Sequence, residues 1–283
     1  MSQPAEREAP IVDIAPRRGL AALDLRRDLA ALWEYRSLVR FIAWRDLKVR
    51  YKQTVLGGLW AILQPLVTML LFLLVFSRLA SMPSDGAPYA LFAYVSLLPW
   101  TYFANAVTQI GNSLIADRSL VTKVYFPRVV IPVAASLPGL VDLAMGSLLL
   151  IGLLVWYGVA PGLPALWIPG LVALMVGSAL GVGLWLSALN VLYRDFRYVI
   201  PFLVQVLLFL SPVAYPTSLV PEAWRGLYGL NPLVGVIEGF RWAVLGTPAP
   251  GPSLWTSVAV VSLLLFTGAL YFRRAERRFA DVV

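Results

Sequence analysis

The residues able to do chemistry here are few, and their types narrow what that chemistry is. The chain of 283 residues contains no cysteine and no histidine. That removes thiol nucleophiles, disulfides, zinc–thiolate centres, imidazole bases and imidazole metal ligands. Its three lysines are Lys48, Lys52 and Lys123, none preceded by glycine, so the phosphate-cradling P-loop is missing. Three constellations remain. Arg45, Lys48 and Lys52 recur at i, i+3 and i+7 on one helix face, with Arg50 in the same stretch; cations so placed neutralise phosphate. Asp142 is the only acid deep inside an apolar run, where a carboxylate is costly and a functional candidate by default. Glu238 and Arg241 are spaced i, i+3 in a shorter apolar stretch, on one helix face. A membrane-surface enzyme needs clustered acids or histidines, whereas Asp85, Glu222 and Glu238 are scattered.

The elements that must carry these residues are membrane helices. The chain is 59% hydrophobic and 13% charged, with a mean hydropathy of +0.77; soluble domains are about 45–50% apolar and about 25% charged. Apolar runs near the ~20 residues needed to cross a bilayer predict an all-α membrane protein with six spans, near 55–76, 89–111, 129–155, 166–192, 199–215 and 254–272. Twenty of the 23 basic residues fall before span one, in the loops after spans two and four, and in the tail. The excess of Lys and Arg marks the cytoplasmic side, and an even span count places both termini there. The net charge of +8 is therefore read as topology and contact with anionic lipid, not as a nucleic-acid footprint. Residues 1–50 are charged and mixed in sign, unlike a cleavable signal peptide.

Residues 231–245 are too short to span and would put the arginine-rich tail outside. Residues 221–246 are therefore expected to be short helices re-entering the outer leaflet, with Asn231 as N-cap and Pro232 in the first turn. Residues 28–54 form an amphipathic helix, read either as a plain interfacial anchor or as a docking surface. In the loop 112–126, Leu114, Ile115 and Val121 suit a groove on another protein, or pack on the chain itself. Residues 1–27 read as a mobile arm.

The run 44–57 (WRDLKVRYKQTVLG), followed by Leu59-Trp60-Ala61 and Gln64-Pro65, resembles the start of the permease subunit of type-2 ABC exporters for polysaccharides: the O-antigen, capsule and teichoic-acid exporters. Later pieces match in order: Leu98-Pro99-Trp100-Thr101-Tyr102-Phe103, Asn105, Asn190, Arg194-Asp195, Ser211-Pro212-Val213 and Leu230-Asn231-Pro232. The resemblance covers nearly the whole chain from about residue 35.

The resemblance implies a homodimeric permease on which two cytoplasmic ATPase subunits dock. ATP and Mg would sit on those partners, with no cofactor, metal or catalytic residue in this chain. It implies that 28–54 is the interface or gate helix, that 112–126 holds the coupling helix, and that 221–246 forms the periplasmic gate around Asn231, Pro232, Glu238 and Arg241. Leu114, Ile115, Asp117, Arg118, Val121, Arg194 and Asp195 would then couple to the ATPase. The substrate would be a polyprenyl-diphosphate-linked glycan crossing the bacterial inner membrane, with O-antigen preferred and teichoic acid, capsule or a small molecule as alternatives.

Physical reasoning adds candidates. A sugar chain needs aromatic faces and polar edges along its canal; Trp60, Gln64, Trp100, Tyr102, Phe103, Gln205 and Phe209 are the expected lining, although Trp and Tyr near span ends also form an interfacial belt. Arg45, Lys48, Arg50 and Lys52 would receive the carrier diphosphate at the cytoplasmic entrance. Asp142 has no second deep acid or histidine for a proton relay, so it is expected to make a structural hydrogen bond, for example to a serine on a nearby helix. An ion-coupled carrier would show internal repeats and several intramembrane charges, which this sequence lacks.

Overall fold

The computed structural model describes residues 30, 32–52, 57–123 and 126–282. The arm at 1–27 lies outside the described residues, as do positions 28–29, 31, 53–56 and 124–125 of the expected segments. Every regular element among the described residues is helical: α1 (Arg36–Lys52), α2 (Trp60–Phe72, continued by a π-helical stretch Leu73–Leu79), α3 (Tyr89–Ala116), α4 (Arg118–Lys123), α5 (Val130–Ser136), α6 (Pro138–Tyr157), α7 (Ile168–Leu192), α8 (Phe196–Leu210), α9 (Glu222–Tyr228), α10 (Pro232–Leu245) and α11 (Pro252–Val282).

Among the described residues, five helical segments are long and apolar enough to cross a membrane: Trp60–Leu79, Tyr89–Ala116, Val130–Tyr157, Leu163–Leu192 and Pro252–Phe279. They coincide with five of the six expected runs. The expected span at 199–215 is the 15-residue α8, about 22 Å long against a hydrocarbon core of about 30 Å. It stops at Ser211, which is extended (φ −110°, ψ 149°), one residue before Pro212, as the steric demand of a following proline requires.

α3 is the axis of the bundle. It is largely apolar and mostly buried; Leu91, Tyr94, Val95, Phe103, Val107 and Ile110 are all buried. Ser96 and Thr108 bond within the helix, to the Phe92 and Ala104 carbonyls at 2.8 Å each, while the Tyr89 and Tyr94 hydroxyls reach the Ala214 and Gly146 carbonyls outside it. α7 lies between α3 and α11 and packs against both. Glycine makes this possible: a Cβ on Gly183 would stand 2.5 Å from Ile110, and one on Gly181 would stand 3.1 Å from the Leu265 backbone nitrogen. A Cβ on Gly268 of α11 would in turn meet the Gly181 carbonyl oxygen at 2.8 Å. Small residues spaced four apart on α7, Gly177 and Gly181, let the two backbones approach.

α10 inserts against α3, α7 and α11, burying Leu233, Val236, Ile237 and Ala243. Its start follows the expectation: Asn231 Oδ1 accepts the Leu233 amide at 3.0 Å and Pro232 occupies the first turn. Gly246 ends it at φ 69°, a left-handed conformation that favours glycine. Fourteen residues give about 21 Å, too little to span.

Candidate functional site

Three cavities gather about half of the polar side chains singled out above; Arg45, Lys48, Lys52, Asp117, Asp195, Gln205 and Asn231 line none of them. The first, of about 310 Å³, lies among α1, α2, α3 and α6 and is lined by Arg50, Tyr51, Trp60, Gln64, Thr101, Tyr102, Asn105 and Asp142 with Ala61, Pro65, Leu98, Gly139 and Leu143. α1 closes it. That helix buries Val39 and Ile42 against the bundle and leaves Phe41, Trp44 and Val49 exposed. Two ion pairs hold it. Arg45 donates to Asp117 at 2.7 Å and to Asp46 at 2.9 Å. Arg50 pairs with Asp142 Oδ2, and the Tyr51 hydroxyl donates to Asp142 Oδ1.

Asp142 makes a structural hydrogen bond and finds a charged partner as expected, in Arg50 and Tyr51 of α1, although not in a serine of a nearby helix. The four cations, in contrast, do not act as one row. Arg45 and Arg50 are each committed to a carboxylate, while Lys48 and Lys52 are exposed, Lys48 resting over the Trp44 ring at 5.4 Å from its centroid. Helical geometry separates them: at about 100° per residue, Arg50 points away from the face that carries Lys48 and Lys52. The hydrogen bond to Asp117 holds the Arg45 guanidinium above its ordinary pKa, with burial opposing. Burial first, and the bond to Asp142 second, push the Tyr51 hydroxyl up to about 12.

The expected canal residues divide. Trp60, Gln64 and Tyr102 line this cavity, and Thr101 and Asn105 join them. Trp100 and Phe103 turn into the core of the subunit, at 6% and 1% exposure, with ring centroids 5.9 Å apart. Residues so close in sequence cannot all share one helix face. Gln205 and Phe209 sit one turn apart on the uncovered face of α8. The polar pair Thr101 and Asn105, spaced i, i+4 in an otherwise apolar helix, was the available clue to the lining.

The second cavity, about 460 Å³, brings together the two loops expected to couple. It is lined by Ile115 and Arg118 from one side and by Asn190, Val191, Arg194, Arg197 and Tyr198 from the other. Asn190 joins α7 to α3 by donating to the Gly111 carbonyl at 2.9 Å and to Asn112 Oδ1 at 3.1 Å. Leu114 and Val121 do not face outward: they are buried with Val130, Ile131, Phe272 and Phe279 in a second core. Of the three apolar residues suited to a partner groove, Ile115 alone lines this recess. Asp195 is exposed at the start of α8, and Asp117 turns away to Arg45. Arg197 and Tyr198 extend the recess beyond the expected residues.

The third cavity, about 900 Å³, lies at the opposite end and is lined by hydroxyls and carboxylates, among them Asp85, Thr217, Tyr228, Glu238 and Ser253, with Arg241. Glu238 and Arg241 face it together but bond different partners. Thr217 and Ser253 both donate to Glu238, Ser253 at 2.5 Å. Arg241, 4% exposed, donates to Ser96 Oγ at 2.8 Å and to the carbonyls of Pro212 at 2.5 Å and Val213 at 3.3 Å. Its guanidinium also lies 3.6 Å from the centroid of the Phe92 ring. Asn231 reaches back to the Leu210 carbonyl at 3.0 Å and Ser211 Oγ at 2.9 Å. The turn after α8 is thereby fastened to α3 and α10.

Comparison with known proteins is consistent along the chain. Residues 37–245 match the family model described as ABC-2 type transporter. The chain is 31% identical over 256 residues to the O-antigen export system permease protein RfbA of Myxococcus xanthus, covering 89% of this chain and 97% of that one. It is 27% identical over 263 residues to a Klebsiella pneumoniae protein of the same name, covering 93% and 100%. It is 26% identical over 236 residues to the polysialic acid transport protein KpsM of Escherichia coli, covering 82% and 91%.

Proposed function

The chain belongs to the ABC-2 type transporter family, and on that premise we propose that it is the permease subunit of an ATP-driven exporter of a polyprenyl-diphosphate-linked polysaccharide of the O-antigen type. The relatives named O-antigen export permease match it over nearly their whole length, which favours this cargo over capsule or teichoic acid. The protein works in the bacterial inner membrane as a homodimer with both termini cytoplasmic.

One structural observation carries the reading. Gln205 stands on the uncovered face of the apolar helix α8, beside Phe209. An amide turned to lipid has no hydrogen-bond partner and is costly. A second copy facing this helix across a sugar-bearing canal satisfies the amide and gives the ring a use. α1, with its exposed Phe41 and Trp44, lies in the headgroup boundary as a gate helix, and Lys48 and Lys52 meet the carrier diphosphate. α9 and α10 re-enter from the outer leaflet as the exit gate. The basic recess of Arg118, Arg194 and Arg197 docks the ATPase, which carries the ATP and Mg.

Affinity purification from native membranes, with mass spectrometry of what accompanies the protein, tests this. A soluble ATPase in equal amount and a polyprenyl-linked glycan are expected. Folded, dimeric permease without any ATPase would overturn the assignment.

A further inference from the structure

The cavity beneath α1 differs from a canal between two copies: it lies within one chain and is closed on one side by α1 itself. Its volume of about 310 Å³ stands at the small end of ligand sites, which run from about 300 to about 1,000 Å³. Its lining mixes one indole, two amides, hydroxyls and an ion pair. Arg50 and Asp142 neutralise one another, so the pair adds no net charge. A phosphate gains little there. A neutral polyhydroxyl group gains much, because a paired carboxylate keeps lone pairs and a paired guanidinium keeps donors for adjacent hydroxyls. Gln64 and Asn105 each offer both a donor and an acceptor, and Trp60, half exposed, offers a face for sugar C–H groups. The exposed cations Lys48 and Lys52 lie on the same helix as Arg50, outside the cavity lining.

Resting on the exporter reading, we propose that this cavity is a saccharide subsite, one in each permease chain. It seats one sugar ring of the glycan between α1 and the spans beneath it. Trp60, Gln64, Thr101, Asn105 and the Arg50–Asp142 pair form the seat. Recognition of the glycan then begins at the cytoplasmic mouth, one ring at a time, before any chain enters the canal.

The absence of native cysteine permits a clean test in the full transporter. Thr101→Cys and Asn105→Cys are introduced singly, and labelling by a small methanethiosulfonate reagent is timed in inverted inner-membrane vesicles. Vesicles from cells that make the lipid-linked glycan are compared with vesicles from cells blocked in its first sugar transfer. A glycan present at ten times its dissociation constant slows labelling at both positions by about tenfold, while Ser37→Cys, on the exposed side of α1, labels equally in both. Equal rates at Thr101→Cys and Asn105→Cys, with glycan still co-purifying with the wild-type permease, would overturn the subsite and leave the exporter reading standing. Protection that persists without glycan and disappears on delipidation would assign the cavity to a membrane lipid and overturn it too. If no glycan accompanies the wild-type transporter, the exporter reading itself fails and the subsite falls with it.

Discussion

Arg45 on α1 donates to Asp117 at the end of α3, 72 residues away, at 2.7 Å. The bond fixes α1 to the segment that the proposed function sets against the ATPase. A push on that segment is delivered to α1 directly, and α1 in turn closes the inner cavity through Arg50 and Asp142.

Breaking this bond is expected to separate ATP hydrolysis from export. Arg45→Gln and Asp117→Asn each leave the ATPase of the purified complex active while glycan export falls. The double variant is no worse than either single one. In a double-mutant cycle on stability the pair shows a coupling of about 0.5–3 kcal/mol. Additive losses would mean that the two residues act separately.

Tyr51 gives the seat of α1 a pH limit. Its hydroxyl is pushed from about 10 to about 12, by burial first and by Asp142 second. A group whose folded-state pKa is raised contributes stability that is complete below the ordinary value and lost as pH rises through the shifted one. The wild-type protein therefore loses this contribution between about pH 10 and about pH 12, and Tyr51→Phe shows no such step. Ultraviolet difference titration of the two proteins, followed together with thermal unfolding, measures both the ionisation and its consequence.

Much of this was legible in the sequence and some could not be. The apolar runs located five of the membrane-length helices to within about seven residues at each end, because ~20 apolar positions are a local property. The cap at Asn231 was legible for the same reason. The partners of Arg45 and Arg50 were not, since Asp117 and Asp142 lie 72 and 92 positions away and only packing brings them near. Position in an apolar run also failed to tell inward from outward: Phe103 is buried and Phe209 exposed, although both are phenylalanines of apolar helices. Arg241 read as a gate charge on the face of Glu238. Its burial, and its bonds to the Pro212 and Val213 carbonyls, depend on a turn whose geometry no local pattern specifies.

Arg241 is expected to hold that turn. Arg241→Lys keeps the charge but loses the planar fork that reaches Ser96 and two carbonyls at once. Each lost charged hydrogen bond costs about 1.5–3 kcal/mol, so detergent-solubilised protein should unfold at a clearly lower temperature. An unchanged unfolding temperature would show that the outer turn is held without Arg241, by Asn231 and by the Tyr89 hydroxyl, which donates to the Ala214 carbonyl at 2.8 Å.

The α7–α11 crossing leaves no room for a methyl group. Gly181→Ala must displace the α11 backbone near Leu265 and is expected to destabilise by about 1–3 kcal/mol. Gly152→Ala, with nothing within 4 Å of the added carbon, is expected to be neutral in the same unfolding assay.

The basic recess gives docking a salt dependence. Arg194→Ala combined with Arg197→Ala is expected to lower the amount of ATPase retained on purification and to flatten its loss with rising salt, because exposed charge pairs are screened over about 8 Å at physiological ionic strength. Retention equal to wild type at every salt concentration would place the docking surface elsewhere.

The same crossing makes α11 a lever. Its 31 residues extend about 46 Å, and the tight contact of Gly268 with Gly181 falls near the middle, a fulcrum with almost equal arms. At one tip Ser253 is bonded to Glu238. On the other arm Glu276 accepts the Arg128 amide at 3.0 Å, and its carbonyl takes the Arg128 guanidinium at 2.6 Å. Ser253 lies 15 residues from Gly268 and Glu276 only 8, so a tilt at the Ser253 tip reappears at Arg128 at about half its size and in the opposite direction. Under the proposed function these two contacts are the exit gate and the cytoplasmic face, two unequal pans of one balance.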